Sequence, residues 1–291
     1  MPNSPVVPTI RRRRLGSALR KLRGDAGMTL DDAAAAMGWK APKMSKVENA
    51  AAGIRPGEVT DLLKAYGATD PEVFTALENL ARDAGKKGWW QTYTGVVAPS
   101  YADYLSLESD AERICEWTPT LIPGLLQSAA YAREMIAASA VTRTPEEVAA
   151  LAEVRMARQA VLSRPGGNGP LNVWAVISEA VLHQRFAVRP ATMREQLRRL
   201  LDVADMPNIT LQIMPLDATP HPGVAGGFTV VNFPGLIPDL VAVENLRGNS
   251  YVEGVENMKV FASAFEHIVA AALPVDDSLA LIKRIEEGSP K

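Results

Sequence analysis

Side chains able to do chemistry near neutral pH are few in this chain: one cysteine, Cys115, and three histidines, His183, His221 and His267. Catalysis needs such groups to converge, and nothing in their spacing brings them together. The histidines are scattered, without the H-E-x-x-H spacing that sets two metal ligands on one helix face. Cys115 lies between Ile114 and Glu116 in a stretch that reads as an amphipathic helix, where a neighbouring carboxylate would raise the thiol pKa and weaken the nucleophile. His267 reads as an ordinary, partly buried histidine on an otherwise apolar helix face. His221-Pro222-Gly223, with Gly226-Gly227 close behind, forms a loop between two expected strands where a ligand site could be built. GVAGGF in that loop has the wrong spacing for a phosphate-binding fingerprint. These residues point to no enzyme, no cofactor and no metal site.

A second set carries charge rather than reactivity. Lys40, Lys43, Ser45, Lys46 and Asn49 crowd one short stretch, and Arg55 follows in the next loop. Cations and small polar groups at this density are suited to hydrogen bonds and ion pairs with nucleic-acid phosphates and base edges.

The elements that hold this set can be built from spacing. Leu15, Leu19 and Leu22 put one apolar stripe on a first helix, which Gly27 ends. Thr29, followed three residues on by Asp32, has the spacing of a capping box for a second helix starting near Leu30. That helix is short and rich in alanine, Ala33 to Ala36, and Gly38 turns the chain into a third. The third helix runs from about Ala41 to Glu48, with Met44 and Val47 inward and the basic set outward or at its ends. It has the diameter of a DNA major groove. Lys40 stands where its side-chain cap would be, so it begins uncapped. The Arg11–Arg14 run has two readings, a solvated helix start or an extension of phosphate contact.

At 291 residues the chain has room for about two domains. Charge separates them, since residues 1–88 hold 15 Lys or Arg against 10 Asp or Glu, a balance of +5, and the net −2 leaves −7 for the remainder. A basic head on an acidic body fits a nucleic-acid-binding module joined to one that does not bind nucleic acid. A single cysteine excludes an internal disulfide framework. With no signal-peptide pattern and no run able to span a bilayer, a soluble cytoplasmic protein associated with the nucleoid is expected.

Two more helices complete the head, one carrying Val59, Leu62, Leu63 and Tyr66, the next capped by Asp70 and carrying Val73, Leu77, Leu80 and Ala81 as far as a Gly85-Lys86-Lys87-Gly88 break. This sets domains at 1–88 and 89–291. Aromatics dense between Trp89 and Tyr104 read as a packed junction. From Tyr101 to Ser163 the pattern is helical, ERICEW included, with breaks at Thr118-Pro119, Pro123-Gly124 and Thr144-Pro145. After a PGGNGP loop come strand candidates LNVWAVIS, ITLQIMPL, FTVVNF and LVAVENL, with FPGLIPD as a hairpin link and YVEG as a short edge strand. Helices over ATMREQLRRLLDVAD, ENMKVFASAFEHIVAAAL and DDSLALIKRIEE complete the pattern. The expected fold is a mainly α, five-helix head followed by an α+β domain with a small, mostly antiparallel sheet.

The order and spacing of MTLDDAAAAMGW and KMSKVEN, after a helix with Arg20 and Arg23, resemble the XRE family of phage-repressor-like helix-turn-helix regulators. The resemblance implies that the second helix braces the DNA backbone and the third enters the groove. By position, Ala41, Pro42 and Lys46 would face base edges, and Thr29, Lys43 and Asn49 would meet or border phosphates. Ala41 and Pro42 cannot form bidentate bonds to a base, so direct readout would fall to Lys46 and Ser45. By the same resemblance Arg23 and Glu48 look like an ion pair tying the first helix to the third. GWW, LESDAERICEW, LIPGLLQSAAYAREM, EVRMARQAVL, PNITLQIMPL and a terminal LIKRIEE resemble the C-terminal domain of antitoxin-like regulators of sporulating actinomycetes, the WhiJ and AbaA type. That resemblance implies a transcription factor acting with a small acidic partner protein encoded nearby. A homodimer on two half-sites is expected, because one such head offers limited contact. The alternative is a regulator sensing a small molecule near His221.

Overall fold

The computed structural model describes residues 9–84, 88–93, 95–139, 143–165, 169–235, 238–245 and 248–288. The Gly85–Lys87 break, the centre of the PGGNGP loop and the middle of the FPGLIPD link lie outside them. Contacts divide the chain into one unit of Met1–Trp89 with Phe233–Pro238 and another of Trp90–Asn232 with Asp239–Lys291.

Five helices make up the described part of the first unit: α1 (Ile10–Asp25), α2 (Leu30–Ala36), α3 (Ala41–Glu48), α4 (Pro56–Ala65) and α5 (Pro71–Asp83). Their ends follow local chemistry. Thr29 and Asp32 close the capping box that starts α2, and the Asp70 side chain caps α5. Gly27 and Gly38 take φ of +68° and +63° at the ends of α1 and α2, where a side chain would be strained. Leu15, Leu19, Met44, Val47, Leu62, Leu63 and Leu77 meet in one core.

In the second unit come α6 (Pro99–Asp110), β1 (Arg113–Thr118), α7 (Ala129–Ser139), α8 (Pro145–Arg158), β2 (Asn172–Ser178), the single-turn α9 (Glu179–Leu182), α10 (Thr192–Ala204), β3 (Ile209–Met214), β4 (Phe228–Asn232), β5 (Leu240–Asn245), β6 (Gly248–Val252), α11 (Val255–Ala271) and α12 (Val275–Gly288). The strands form one mixed sheet in the order β3-β2-β1-β4-β5-β6. Three of the five pairings are antiparallel: β4–β5, the expected hairpin, β5–β6, and β1–β4, which involves a strand that was not expected. The pairings β1–β2 and β2–β3 are parallel, made possible by the crossovers through α7 and α8 and through α9 and α10.

The helical reading of ERICEW is wrong. The chain leaves α6 at Ala111 with extended backbone (φ −68°, ψ 148°), and RICEWT is a strand between β2 and β4. Covered on both faces, it shows a nearly continuous buried run instead of the alternation that marks a half-exposed strand. One face of the sheet, with Cys115, Trp117, Val176, Val230 and Val241, packs with Phe265 and Ile268 of α11. No single helix among the described residues is long and apolar enough to cross a membrane.

Candidate nucleic-acid interface

The position of α3 is fixed from below. Gly16 of α1 lies so close to its C-terminal end that a Cβ there would stand 2.5 Å from the Glu48 carbonyl oxygen. Beside that contact Arg23 donates from Nε to Glu48 Oε1 at 2.7 Å and from Nη2 to Oε2 at 3.0 Å, so the ion pair expected between the first and third helices is bidentate. Its Nη1 also reaches the Met28 carbonyl at 2.8 Å, so one guanidinium joins α1, the turn and α3. Glu48 is 4% exposed, and its carboxylate holds the Arg23 pKa above its ordinary value. Arg20 approaches the same carboxylate at 3.6 Å and donates to Asn49 Oδ1.

Above this base, α3 turns Pro42, Lys43 and Lys46 to solvent, with Lys40 and Asn49 exposed at its ends, Ala41 and Ser45 half-buried, and Met44 and Val47 in the core. Thr29 is exposed at the start of α2 and Arg55 at the start of α4. Lys40 gives α3 no side-chain cap, and proline in its first turn lacks the N–H that would need one.

The basic residues are not equally free. Lys43 Nζ lies 3.0 Å from Glu58 Oε1 and 3.5 Å from the centre of the Trp39 ring. The Arg55 backbone N–H donates to Glu58 Oε2 at 2.9 Å, and this bond, helped by Lys43, keeps the Glu58 carboxyl below its ordinary pKa. Lys40 and Lys46 form no salt bridge among the described residues. Asn49 Nδ2 donates to Ser45 Oγ at 3.2 Å, so these two and Arg20 form one polar set at the end of α3. Sequence reasoning missed Trp39 and Glu58, although their spacing from Lys43 is visible once α4 is placed. In the arginine run, Arg11 Nη1 donates to the Asp83 carbonyl of α5 at 3.3 Å and Arg14 is buried, so the run is no uniform solvated start.

A family model described as a helix-turn-helix domain matches residues 14–75, and one described as a domain of unknown function, DUF5753, matches residues 101–284. The chain belongs to the DUF5753 family. No curated protein and no solved structure matches it. The head of this DUF5753 protein is thus a helix-turn-helix domain, the module of a DNA-binding regulator.

Within the DUF5753 region the candidate reactive groups stay apart. Cys115 is buried on β1, where desolvation pushes its thiol pKa up, the opposite of what a nucleophile needs. His183 is exposed, 3.4 Å from Glu179. His267 is exposed on α11, contrary to the partly buried position expected, and its Nδ1 lies 2.7 Å from the Ser263 carbonyl. The His221 loop is closed on itself: Gly223 N–H donates to His221 Nδ1 at 3.1 Å, Trp117 Nε1 donates to the Gly223 carbonyl at 2.9 Å, and the His221 and Trp117 rings meet edge to face. A Cβ on Gly223 would lie 2.6 Å from Trp117 Nε1, so the glycine is required by packing. Among the described residues no group of His, Cys, Asp and Glu could hold a metal ion.

Proposed function

We propose that this protein is a sequence-specific DNA-binding transcriptional regulator, with residues 1–88 contacting DNA and residues 89–291 mediating homodimerisation and the binding of a small acidic partner protein. The observation that carries the DNA-binding reading is α3, clamped to α1 by Arg23–Glu48 and the Gly16 contact while Lys40 and Lys46 stand exposed without ion partners among the described residues. In this reading Lys46, with Ser45, Ala41 and Pro42, faces the bases. Thr29, Lys40, Lys43, Asn49 and Arg55 border the phosphates. The likeness of the head to XRE-type repressors and of the body to WhiJ and AbaA type regulators supports this division of labour, in a cytoplasmic protein at the nucleoid. The closed His221 loop gives the ligand-sensing alternative no support at that position.

Binding of the full chain to DNA selected from random sequence, followed by titration at several salt concentrations, tests the assignment. Lys46→Ala should weaken the selected site about tenfold and relax sequence preference. Lys43→Ala should weaken binding to all sequences and reduce the salt slope by less than the roughly 0.9 expected for one phosphate contact, because Glu58 already neutralises part of that charge. Unchanged affinity in the Lys46 variant near 0.1 M salt would sink the placement of α3 in the groove.

A further inference from the structure

Lys40 and Lys46 form no salt bridge among the described residues, but Lys43, between them in the chain, is held by two neighbours. Its Nζ donates to Glu58 Oε1 at 3.0 Å and stands 3.5 Å from the centre of the Trp39 ring, which packs against the core of the head. Glu58 is itself fixed. Its Oε2 accepts the Arg55 N–H at 2.9 Å at the start of α4, while Oε1 meets Lys43.

Neither stability nor capping accounts for this arrangement. The Lys43 and Glu58 side chains are 45% and 30% exposed, against 16% and 1% for Arg23 and Glu48, and a pair so open to water contributes little to the fold. The Arg55 N–H would be met by a glutamine as well, the other residue that closes a capping box, so the cap does not require a charge. What the charge acts on is Lys43. The Arg55 N–H, helped by Lys43, keeps the carboxyl below its ordinary pKa, so Glu58 is ionised wherever DNA is bound near neutral pH.

Lys43 and Lys46 are both exposed, three residues apart on α3, so they reach the same side of the interface. A phosphate can take Lys43 only by drawing it off a carboxylate that also repels the phosphate. Sequence-independent complexes are held almost wholly by such charges and are loose, so there Glu58 keeps the lysine. With α3 seated in the groove, base contacts hold one phosphate close enough to compete. We propose, resting on the DNA-binding reading of α3, that Glu58 is a specificity-determining residue: it withholds Lys43 from non-specific DNA and gives it up only in the seated complex.

Salt titrations of the full chain on the selected site and on random-sequence DNA test this. Glu58→Gln keeps an acceptor for the Arg55 N–H, so the start of α4 survives, which an unchanged Tm checks. On random-sequence DNA it should steepen the salt slope by up to roughly 0.9, the value for one phosphate contact, and so tighten binding by up to about eightfold at 0.1 M salt. The selected site should gain about twofold or less, so the ratio of the two affinities falls. Most of the gain should vanish in the Lys43→Ala background. Asp61→Asn, the same charge change one turn along α4, should give little of it. Should the Glu58 variant lose stability, Lys43→Ala alone decides, because it must weaken the selected site more than random-sequence DNA.

An unchanged affinity for random-sequence DNA, an equal gain on both DNAs, or a gain undiminished without Lys43 would each overturn the role of Glu58. A loss confined to the selected site would also overturn it, since Glu58 would then be reading a base, as carboxylates do at cytosine N4. Lys46→Ala separates this from the reading beneath it. If that variant binds the selected site as the parent does, α3 is not in the groove; if it weakens as expected while Glu58→Gln changes nothing, only the role of Glu58 falls.

Discussion

Arg23 carries more of the head's geometry than any other polar residue, because it is the bidentate partner of a carboxylate that is almost wholly out of water. Removing it leaves Glu48 with Arg20 at 3.6 Å, a long contact from a side chain half in solvent. Arg23→Ala should therefore cost about 3–5 kcal/mol in urea denaturation of the full chain, the usual penalty for stranding a buried charge. A loss below about 1 kcal/mol, the worth of an exposed pair, would mean that water reaches Glu48 freely. Glu116 makes the opposite case, a half-buried carboxylate with no hydrogen bond or ion pair among the described residues. Its pKa rises from 4.5 to about 7 through desolvation, with Glu244 and Glu108 raising it and Arg158 and Arg155 opposing. The native state then holds a proton that the unfolded chain gives up near pH 4.5. Its contribution is present below that pH and is lost as pH climbs through 7. Glu116→Gln should match the parent protein's Tm near pH 5 and exceed it near pH 8. The nearby Glu108, Glu244, Tyr104, Arg155 and Arg158 are common to both proteins, so the difference isolates Glu116. A constant gap across that range would remove the titration argument.

At the level of elements, the α1–α3 crossing depends on the absence of a side chain. Gly16 lies against Glu48 O, Glu48 C and Val47 O, all backbone atoms that cannot rotate aside. Gly16→Ala would force the helices apart, a strain of about 1–3 kcal/mol or more. Because the displaced element is α3, specific DNA binding should fall further than stability; binding that tracks the folded fraction alone would refute the positional argument. Helices of the head were legible because their signals are local: Thr29 with Asp32, Asp70 before Pro71, and glycines at the turns are each decided within a few residues. Glu48 and Arg23 were legible only through likeness to a known family, since no local rule joins residues in different helices. Strand β1 was illegible for a physical reason. ERICEW is a strand because β2 and β4 supply its hydrogen bonds from 113↔172 and 113↔232, and nothing within the segment announces partners so distant. Glu116 was hidden with it, since a helical reading made it only the carboxylate beside Cys115 and not a residue on the face shared with Thr118.

On the scale of the molecule, the proposed regulator joins a head of charge +5 to a remainder of −7. Such a body is repelled by the phosphates that attract the head, which confines contact to the surface around α3 and limits what one copy can bury against DNA. Lys46 and Ser45 are the only polar side chains assigned to base edges, and Ser45 is already bonded to Asn49. Two polar residues per head give little discrimination, at about 1–3 kcal/mol for each good base contact. A second head on the same face of the duplex doubles that readout and adds spacing as a selected quantity. Light scattering should accordingly give a mass near twice 31.3 kDa for the full chain. Footprinting on a selected site should show two protected half-sites about 34 Å apart, one helical turn. Inserting half a turn, about 5 base pairs, between them should abolish specific binding, because the heads would then face opposite sides of the helix, whereas a full-turn insertion should restore part of it. A single protected half-site bound with full affinity by a 31.3 kDa species would show that one head suffices. The sparse base contacts of α3 would then have to be offset by reading the shape of the DNA.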